Sequence, residues 1–490
     1  MSDDRNVLYY GDNLDVLRRH VHDETVDLIY LDPPFNSNAN YNVLFEEHGT
    51  RAAAQVQAFE DTWEWNTEAA AIYQDIVERG GEVAKAMVAF RMLLGTSDML
   101  AYLSMMAPRL VELRRVLKPT GSLYLHCDPT ASHSLKLLLD AVFGAANFQN
   151  EFIWYYSGGG ASKRRWARKH DVLLFYTKSD AWTFNADAVR TPYKWTRGQL
   201  RADGTGRDLS KGKLADDVWE HHSLMPWAAE RLGYPTQKPL ALLDRIVAAS
   251  SNPGDVVLDP FCGCGTTIDA AQELGRQWIG IDITHLAIGL IKHRLVDRYG
   301  PGIATTYRVI GEPTTVDDAA VLAHEDPFQF QAWALGLVGA RVAGSDRHGG
   351  DRGIDGRLYF HDSADGQTRQ IVFSVKAGDH LVPAFVHELR GVIDREKAEI
   401  GVLLTFKDPT PGMRAEAANA GFYTSPWGNH PRLQLRTVAQ LLAGQGIDYP
   451  HVTGANVTHR RASRAQAPLA ETIEMFESNA PGKGVSEDDG

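Results

Sequence analysis

Short apolar runs alternate with helical patterns through about the first 300 residues of the chain. Residues 26–31 and 256–258 are almost entirely apolar, which is typical of strands buried in a parallel sheet. Further strands are predicted at residues 7–10, 122–126, 152–154, 172–176 and 278–281. Helices are predicted at residues 14–17, 69–117, 135–143, 240–249 and 268–274, with Thr236 as the N-cap of the fourth. This alternation predicts an α/β fold.

The stretch Asp32-Pro33-Pro34-Phe35 directly follows the apolar run at residues 26–31. It therefore lies at the carboxyl end of a predicted strand, where open α/β sheets bind ligands. Because the two prolines have no N–H, only carbonyl acceptors point outward. A carboxylate, bare carbonyls and a flat ring suit the exocyclic amine of adenine or cytosine. Asp32 and the Pro33 carbonyl would accept its two hydrogens, and Phe35 would stack on a base flipped out of the duplex. A structural Asp-Pro-Pro turn is the alternative.

A second candidate site follows the strand predicted at residues 256–258. That strand runs into a glycine-rich loop at residues 259–267, and the strand at 278–281 ends at Asp282. Glycines let the backbone approach a ligand, and an acid about 20 residues further on can reach ribose hydroxyls. Ile268 stands where a dinucleotide fingerprint carries its third glycine, which disfavours a pyrophosphate ligand. S-adenosylmethionine, a nucleoside without phosphates, fits better. A structural glycine turn is the alternative.

The densest basic cluster of the chain lies after a run of three glycines. It comprises Lys163, Arg164, Arg165, Arg168 and Lys169, with Trp166 among them. A solvated surface is the ordinary interpretation of a charge run, but the glycines and the tryptophan favour contact with nucleic-acid phosphates. Residues 179–234 have weak periodicity and interleave tryptophans with basic residues, which indicates an inserted recognition region.

Composition sets limits on the kind of protein. The 490 residues are enough for two or three domains, and the net charge of −12 confines nucleic-acid binding to local basic patches. Three cysteines, Cys127, Cys262 and Cys264, predict a reducing interior rather than a disulfide framework. Cys262 and Cys264 could be a metal fragment, but no second Cys or His pair has suitable spacing, which favours packing roles. No run approaches the ~20 apolar residues of a membrane span, and the N-terminus is not of signal type. We therefore expect a cytoplasmic protein.

Taken together, the motifs resemble the amino-group DNA methyltransferases of the permuted class, in which the catalytic half precedes the cofactor half. The resemblance covers about residues 5–300. It rests on residues 31–35 (LDPPF), 170–178 (HDVLLFYTK), 217–219 (DVW), 234–239 (YPTQKP) and 258–267 (LDPFCGCGTT). The loop that begins with Asp-Pro-Pro-Phe is especially similar to the modification subunits of Type III restriction systems. A Rossmann-like, circularly permuted S-adenosylmethionine-dependent fold is implied.

The resemblance implies roles for individual residues. Residues 32–35 would hold the target amine, and Asp282 would bind the ribose of S-adenosylmethionine. The methionine part would be lined by Asp259, Phe261, Gly263, Gly265 and Thr266, with Lys238 nearby. Cys264 stands where serine is commoner, a small departure. Asp32, rather than serine, at the start of the catalytic motif leans to adenine N6 without excluding cytosine N4. The substrate would be double-stranded DNA, with a restriction subunit or a second copy as possible partners.

A second α/β domain is predicted after the methyltransferase. Asp355 lies in a turn that feeds a strand, and Lys376 ends the apolar run at residues 371–376. This pair resembles Mrr-like restriction endonucleases, in which the acid binds Mg²⁺ and the lysine stabilises the attacked phosphate. Ser374 stands where an acid or glutamine is usual, which leaves Asp355 as the one full metal carboxylate, with Asp351 as a substitute. Gln329 or Gln331 matches the usual helical glutamate. An active nuclease and a DNA-sensing relic both remain open.

These interpretations divide the chain into four parts. Residues 1–310 form the methyltransferase, residues 311–326 a linker, residues 327–447 the endonuclease-like domain, and residues 448–490 a polar, disordered tail.

Overall fold

The computed structural model describes most of the two predicted domains. The described residues are 6–34, 64–156, 163–192, 212–220, 224, 228, 230–232, 234, 236–343, 353–362, 367–378, 380–450, 456, 458 and 462. Phe35 and Asp351 lie outside them, as does most of the recognition region predicted at 179–234.

The chain alternates strands and helices as the apolar pattern predicts. The first-domain strands are β1 (Asn6–Tyr10), β2 (Val26–Leu31), β3 (Leu117–Cys127), β4 (Phe148–Tyr155), β5 (His170–Thr177), β6 (Val218–Glu220), β7 (Val256–Asp259), β8 (Gln277–Asp282) and β9 (Tyr307–Ile310). Its helices are α1 (Asn13–His20), α2 (Thr67–Arg79), α3 (Gly81–Leu94), α4 (Asp98–Val116), α5 (Ser132–Phe143), α6 (Leu240–Ser250), α7 (Thr266–Glu273) and α8 (His285–Tyr299).

The nine strands form one sheet in the order β6-β4-β5-β3-β2-β7-β8-β1-β9. Its centre, from β3 through β2, β7, β8 and β1 to β9, is parallel. β5 runs antiparallel to both β3 and β4. The predicted α/β fold is confirmed, and β2 lies directly beside β7 although more than 200 residues separate them in the chain. The two candidate motifs therefore meet at one edge.

Two hydrophobic cores cover the two faces of this sheet. Helices α1 to α5 pack on one face, where the sheet contributes alternate side chains such as Ile29 and Leu31. Helices α6, α7 and α8 pack on the other face, which carries Leu28 and Tyr30. A parallel strand covered on both faces must be apolar throughout, which accounts for the continuous apolar runs in the sequence. A stable two-sided core fixes the strand ends that carry the candidate site.

The second domain is a smaller mixed sheet with its own core. Its strands are β10 (Arg341–Val342), β11 (Gly356–Phe360), β12 (Arg369–Lys376), β13 (Ile400–Thr405) and β16 (Leu433–Thr437), in that spatial order, with a hairpin of β14 (Phe422–Ser425) and β15 (Gly428–Pro431) beside it. Its helices are α9 (Val316–Glu325), α10 (Pro327–Leu337), α11 (Ala384–Glu396), α12 (Pro411–Ala418) and α13 (Val438–Leu442). No described helix is long and apolar enough to cross a membrane.

Three expectations need correction. Helix α6 begins at Leu240 with Pro239 at the N-cap position, so Thr236 is not its N-cap. A residue before proline avoids the helical region, which prevents an earlier start. The segment predicted as a linker, residues 311–326, instead contains α9, which begins with a capping box formed by Thr315 and Asp318. Ala319 of α9 is fully buried in the core of the second domain. Its apolar stripe is short, which is why composition alone suggested a linker.

The first residues of the predicted tail, which begins at residue 448, make ordered contacts. Tyr449 is buried against the second domain, and the Thr458 hydroxyl accepts a hydrogen bond from the Tyr359 N–H at 2.8 Å. Asn456 forms a β-bridge with Phe360. These contacts assign Tyr449, Asn456 and Thr458 to the second domain. The Ala462 N–H instead donates to the Asp297 carboxylate of α8, in the first domain, at 3.2 Å, and residues 463–490 lie outside the described part.

Candidate functional site

The carboxyl ends of three neighbouring parallel strands carry three acids. Asp32 follows β2, Asp259 ends β7 and Asp282 ends β8. Because these strands are adjacent in the sheet, the catalytic and cofactor motifs of the sequence form a single site. The geometry thus brings together residues that the sequence separates by more than 200 positions.

One oxygen of the Asp32 carboxylate contacts a cation, and the other has no hydrogen-bond donor among the described residues. Its Oδ2 lies 2.5 Å from the Lys238 ammonium nitrogen, and both side chains are largely buried. Its Oδ1 is buried and meets no hydrogen-bond donor among the described residues. A buried acceptor without a donor is costly unless a ligand supplies the hydrogen. Pro33 is buried next to it and Pro34 is half-buried, while Phe35 lies outside the described residues.

Lys238 is the contact of Asp32 that sequence reasoning did not anticipate. The resemblance places Lys238 near the methionine part of a cofactor, whereas its ammonium contacts the predicted catalytic carboxylate. The Lys238 carbonyl also accepts a hydrogen bond from the Thr266 hydroxyl at 3.4 Å, which connects the segment to the glycine loop. Lys238 therefore lies between the two halves of the site.

The glycine loop requires glycine at two positions. Gly263 and Gly265 have φ angles of +48° and +76°, which residues with a Cβ rarely adopt. A Cβ at Gly265 would lie 2.7 Å from Cγ1 of Ile291 on α8, and a Cβ at Gly263 would lie 3.2 Å from the Tyr234 ring. The tight loop leaves backbone close to the space in front of the strand ends, where a nucleoside can approach it.

Asp282 holds the glycine loop as well as facing the cleft. Its Oδ2 accepts a hydrogen bond from the Gly263 N–H at 2.9 Å, and its Oδ1 accepts from the Thr284 N–H and hydroxyl at 2.9 Å each. Burial raises the pKa of Asp282 to about 6 despite these donors. A carboxylate at this position can accept hydrogen bonds from ribose hydroxyls once it is ionised.

The remaining cofactor candidates surround the same loop. Asp259 is 4% exposed and its Oδ1 accepts from the Phe261 N–H at 3.0 Å. Burial raises the pKa of Asp259 to about 7, and the nearby Asp32 and Asp282 add to that rise. Phe261 is partly exposed and packs against the core on the α1–α5 face. Thr266 opens α7 and is buried.

An aromatic pair beside Asp282 was not found from the sequence. The Tyr10 ring, at the end of β1, stacks on the His285 ring with 3.7 Å between ring centroids. Tyr10 pairs with Asp282 in the sheet, so this aromatic pair lies beside the predicted ribose-binding acid. The signal available in the sequence was the Gly-Asp-Asn turn after the first strand, but only the sheet order places it here.

A buried polar chain behind Asp32 was also missed. His126 has no exposed surface, its Nδ1 lies 2.8 Å from the Tyr30 hydroxyl, and its Nε2 lies 3.2 Å from Oδ2 of Asp171. The Tyr156 hydroxyl donates to the other Asp171 oxygen at 3.1 Å. These residues fall in strands that look like plain core strands in the sequence.

The basic cluster lies at the same end of the sheet. Residues 163–168 are exposed, and the Trp166 side chain is 96% exposed. Arg168 donates to the Thr130 hydroxyl at 3.4 Å, just after β3, and the Tyr156 N–H donates to the Lys169 carbonyl at 3.0 Å. β3 ends beside Asp32, so the cluster lies near the carboxyl ends of β2 and β3, where its charges can contact phosphates.

In the second domain the three predicted residues share one face of the sheet. Gly356 pairs with Phe373, which places Asp355 opposite Ser374, and Lys376 follows two positions along the same strand. The Asp355 Oδ2 accepts from the Val375 N–H at 2.6 Å, and the Lys376 ammonium lies 5.2 Å from the centre of the Phe385 ring. No group of three or more His, Cys, Asp or Glu residues suited to a metal occurs in the described ranges.

The two glutamine candidates of the second domain have different partners. Gln331 donates to the Asp355 carbonyl at 3.1 Å, so it is the one that adjoins the predicted nuclease residues. Gln329 accepts from the His285 N–H at 2.9 Å and joins α10 to the first domain. Of the two, only Gln331 has a hydrogen bond to a predicted nuclease residue among the described residues.

The first-domain site fits S-adenosylmethionine on its own geometry. The glycine loop lets a ligand approach the backbone closely, and Asp282 can accept hydrogen bonds from ribose hydroxyls. Beside this cofactor site, Oδ1 of Asp32 is a buried acceptor that could receive a hydrogen bond from an amine. The thiols of Cys262 and Cys264 are buried, and burial raises the pKa of both.

Comparisons with protein families agree with this division of the chain. A DNA methylase family matches residues 26–293, which is more than half of the chain. A restriction endonuclease family matches residues 322–423, within the second domain. The first match spans both candidate motifs, and the second spans Asp355 and Lys376.

Individual relatives are also methyltransferases by name. The Type II methyltransferase M.HpaI of Haemophilus parainfluenzae is 33% identical over 221 residues, which cover 45% of this chain and 68% of that protein. The DNA adenine methyltransferase YhdJ of Escherichia coli is 26% identical, covering 61% of this chain and 86% of that protein. The solved structure of PvuII DNA methyltransferase, a cytosine-N4-specific enzyme, is 15% identical with a TM-score of 0.38, covering 58% of this chain and 84% of that one. That likeness is too low to carry an argument.

Proposed function

Because the chain belongs to the DNA methylase family, we propose that it transfers a methyl group from S-adenosylmethionine to adenine N6 at a specific site in duplex DNA. The observation that carries this proposal is the buried Oδ1 of Asp32, an acceptor that meets no donor among the described residues at the end of β2. An exocyclic amine supplies the hydrogen that this oxygen lacks.

The catalytic task of this chain is to make a poor nucleophile attack. The amine lone pair is delocalised into the base, and accepting both hydrogens favours a pyramidal nitrogen whose lone pair points at the methyl donor. Asp32 would accept one hydrogen and the Pro33 carbonyl the other. Asp32 would also take the proton that the nitrogen loses after transfer. Phe35 and Pro34 would border the flipped base.

S-adenosylmethionine would supply the electrophilic methyl group. Asp282 would accept from its ribose hydroxyls, and the loop from Asp259 to Thr266 would enclose its methionine part, with Phe261, Gly263 and Gly265 closest. Lys238, which contacts Asp32, would lie between the methionine part and the target amine. The backbone of the loop approaches closely because Gly263 and Gly265 carry no Cβ.

Labelled cofactor tests the proposal directly. We expect the protein to transfer labelled methyl groups to double-stranded DNA, and digestion to nucleosides should place the label on N6-methyladenine. An Asp32→Ala preparation of equal stability serves as the control and should transfer none. Label on N4-methylcytosine instead would identify the cytosine alternative, and no labelled base from the intact protein would favour a catalytically inactive DNA-binding or sensor protein.

Adenine is preferred over cytosine for two reasons. The catalytic motif opens with Asp32, which leans to adenine in the class that the motifs resemble, and one relative is named a DNA adenine methyltransferase. We further propose a restriction-modification or defence role in the cytoplasm and the permuted arrangement, with similarity to Type III modification subunits. In keeping with permutation, the β2 half comes before the β7–β8 half in the chain. A restriction subunit or a second copy of the chain is the expected partner.

We propose, as a second activity, Mg²⁺-dependent DNA cleavage by the domain that matches the restriction endonuclease family. Asp355 and Lys376 lie on one face of adjacent strands, which suits a metal-bound acid next to a phosphate-stabilising lysine. Ser374, opposite Asp355, leaves the metal one carboxylate short. Water would then complete most of an octahedral Mg²⁺ shell.

Cleavage is tested with purified protein, Mg²⁺, and matched methylated and unmethylated DNA. We expect cutting or nicking of the unmethylated substrate, and its loss in Asp355→Ala and Lys376→Ala. Arg357→Ala, a neighbour on β11 that pairs with Glu396, is the matched control. Absence of cleavage, or cleavage that survives both substitutions, would make the domain a DNA-binding relic.

A further inference from the structure

The second domain reaches the cofactor site of the first domain through one buried side chain. Gln329 of α10 is 6% exposed, and its Oε1 accepts a hydrogen bond from the His285 N–H at 2.9 Å. His285 is the first residue of α8, the helix that follows β8 and Asp282 in the chain. The N–H groups in the first turn of a helix have no partner within that helix. Gln329 therefore satisfies one of these groups from the second domain.

The start of α10 fixes the position of Gln329. Asp326 is the N-cap of that helix, and its Oδ1 accepts hydrogen bonds from the Phe328 and Gln329 N–H groups at 3.0 Å each. Phe330, the next residue, is 1% exposed and lies in the core of the second domain. Because the helix is capped and packed on both sides of Gln329, its hydrogen bond to His285 connects that core firmly to α8.

The residue before His285 holds the acid that we expect to bind the ribose. Thr284 is the N-cap of α8, and its hydroxyl accepts a hydrogen bond from the Ala287 N–H at 3.2 Å. The same hydroxyl and the Thr284 N–H donate to Oδ1 of Asp282 at 2.9 Å each. The carboxylate of Asp282 is therefore held by the N-cap of α8, directly next to the residue that Gln329 contacts.

The His285 side chain also packs beside Asp282. It has no exposed surface, and its ring stacks on the Tyr10 ring. Tyr10 pairs with Asp282 in the sheet, and the Gly11 N–H donates to the Asp282 carbonyl at 2.9 Å. A shift of His285 would therefore disturb the neighbours of Asp282 on both the strand and the helix.

We propose that Gln329 is a positioning residue for the cofactor site and acts on Asp282 through the N-terminal turn of α8. The inference rests on the proposed function, in which Asp282 binds the ribose of S-adenosylmethionine. Without the Gln329 acceptor, the His285 N–H loses its partner and the turn is held less firmly. A smaller fraction of the molecules then has Asp282 placed for the ribose, and the apparent dissociation constant rises by the inverse of that fraction.

Titration calorimetry of the full-length protein with S-adenosylmethionine tests the inference and does not require methyl transfer. Gln329→Met, which keeps the length of the side chain but lacks the acceptor, should weaken binding roughly three- to tenfold. Gln329→Glu keeps an acceptor oxygen beside a helix N-terminus, where negative charge is favourable, and should bind within roughly twofold of wild type. In methylation assays, Gln329→Met should raise the KM for S-adenosylmethionine and leave kcat within about twofold.

Two further variants separate this role from general stability. Val438→Ala removes buried volume from the core of the second domain but leaves the Gln329 hydrogen bond in place. It should lower the melting temperature without weakening cofactor binding. Thr284→Val removes the hydroxyl that contacts Asp282. Gln329→Met should add little to the effect of Thr284→Val, because both act through the same turn.

The outcomes distinguish this inference from the proposed function. Unchanged binding in Gln329→Met, equally weak binding in Gln329→Glu or Val438→Ala, or full additivity of Gln329→Met with Thr284→Val would overturn the inference. A wild-type protein that binds S-adenosylmethionine but transfers no methyl group would overturn the proposed function alone. A wild-type protein that does not bind S-adenosylmethionine would overturn both.

Discussion

Asp282 and Asp32 should have separable effects, because Asp282 holds the glycine loop and Asp32 is the residue that we propose to bind the target base. Asp282→Ala removes an acceptor that receives three hydrogen bonds, each 2.9 Å long, from the Gly263 N–H and from the Thr284 N–H and hydroxyl. Hydrogen bonds to a charged group contribute about 1.5–3 kcal/mol each. Since Asp282 is partly exposed and water can replace some of them, we expect a net loss of about 2–4 kcal/mol of stability.

Binding of S-adenosylmethionine should weaken further in the same variant. Loss of one charged acceptor for ribose hydroxyls corresponds to roughly 10–100-fold in affinity. Asp282→Asn keeps one acceptor oxygen and should lie between wild type and Asp282→Ala in both stability and affinity. Asp32→Ala should abolish methyl transfer yet bind the cofactor within about threefold of wild type.

Titration calorimetry with S-adenosylmethionine and urea denaturation measure the two quantities on the same samples. Because burial raises the pKa of Asp282 to about 6, wild-type affinity should fall as pH drops through that value, and Asp282→Asn should lose this dependence. The reasoning is refuted if Asp282→Ala keeps its cofactor affinity, or if Asp32→Ala loses it.

Three further predictions concern DNA contact, pH and packing. Replacing Arg164 and Arg165 with Ala should weaken DNA binding about equally across sequences and flatten its salt dependence, measured by fluorescence anisotropy; a shift of the methylated site would show base readout instead. Burial raises the pKa of Asp244 to about 8, and its Oδ1 meets no donor among the described residues, so the protein should lose stability as pH rises from about 4 to 8 and this carboxyl ionises. Asp244→Asn should flatten that slope in urea titrations, and an unchanged slope would contradict the assignment. Gly265→Ala should destabilise the protein by about 1–2 kcal/mol through its φ angle and by about 1–3 kcal/mol through contact with Ile291. Gly289→Ala, a control position with open space around it, should not destabilise the protein. Equal melting temperatures of the two variants would contradict this prediction.

The central strands were predictable because they are buried on both faces. A strand covered on both faces, such as residues 26–31, is a nearly continuous apolar run that is easily recognised in the sequence. Its end at Asp32 marks the edge of the sheet where open α/β folds bind ligands. The glycine loop was predictable for a related reason, since only glycine adopts its two positive φ angles without strain. Both features depend on residues that are close together in the chain, so the local sequence is enough to predict them.

Contacts that depend on strand order were not predictable. Lys238 lies 206 positions from Asp32 in the chain, and nothing in its local sequence indicates that the two side chains meet. His126 and Asp171 belong to strands whose apolar neighbours make them look like ordinary core, although they carry a buried polar chain. Helix α9 was hidden in a similar way, because its buried stripe is only a few residues wide within a polar segment.

The most direct test of the central claim is the base composition of DNA from cells that express the protein. Plasmid DNA from a host without its own methyltransferases would be digested to nucleosides and analysed by mass spectrometry, with wild type compared to Asp32→Ala. Our account predicts N6-methyladenine with the wild-type protein and none with Asp32→Ala. Equal methylation by both proteins, or no methylated base with a folded wild-type protein, would contradict it.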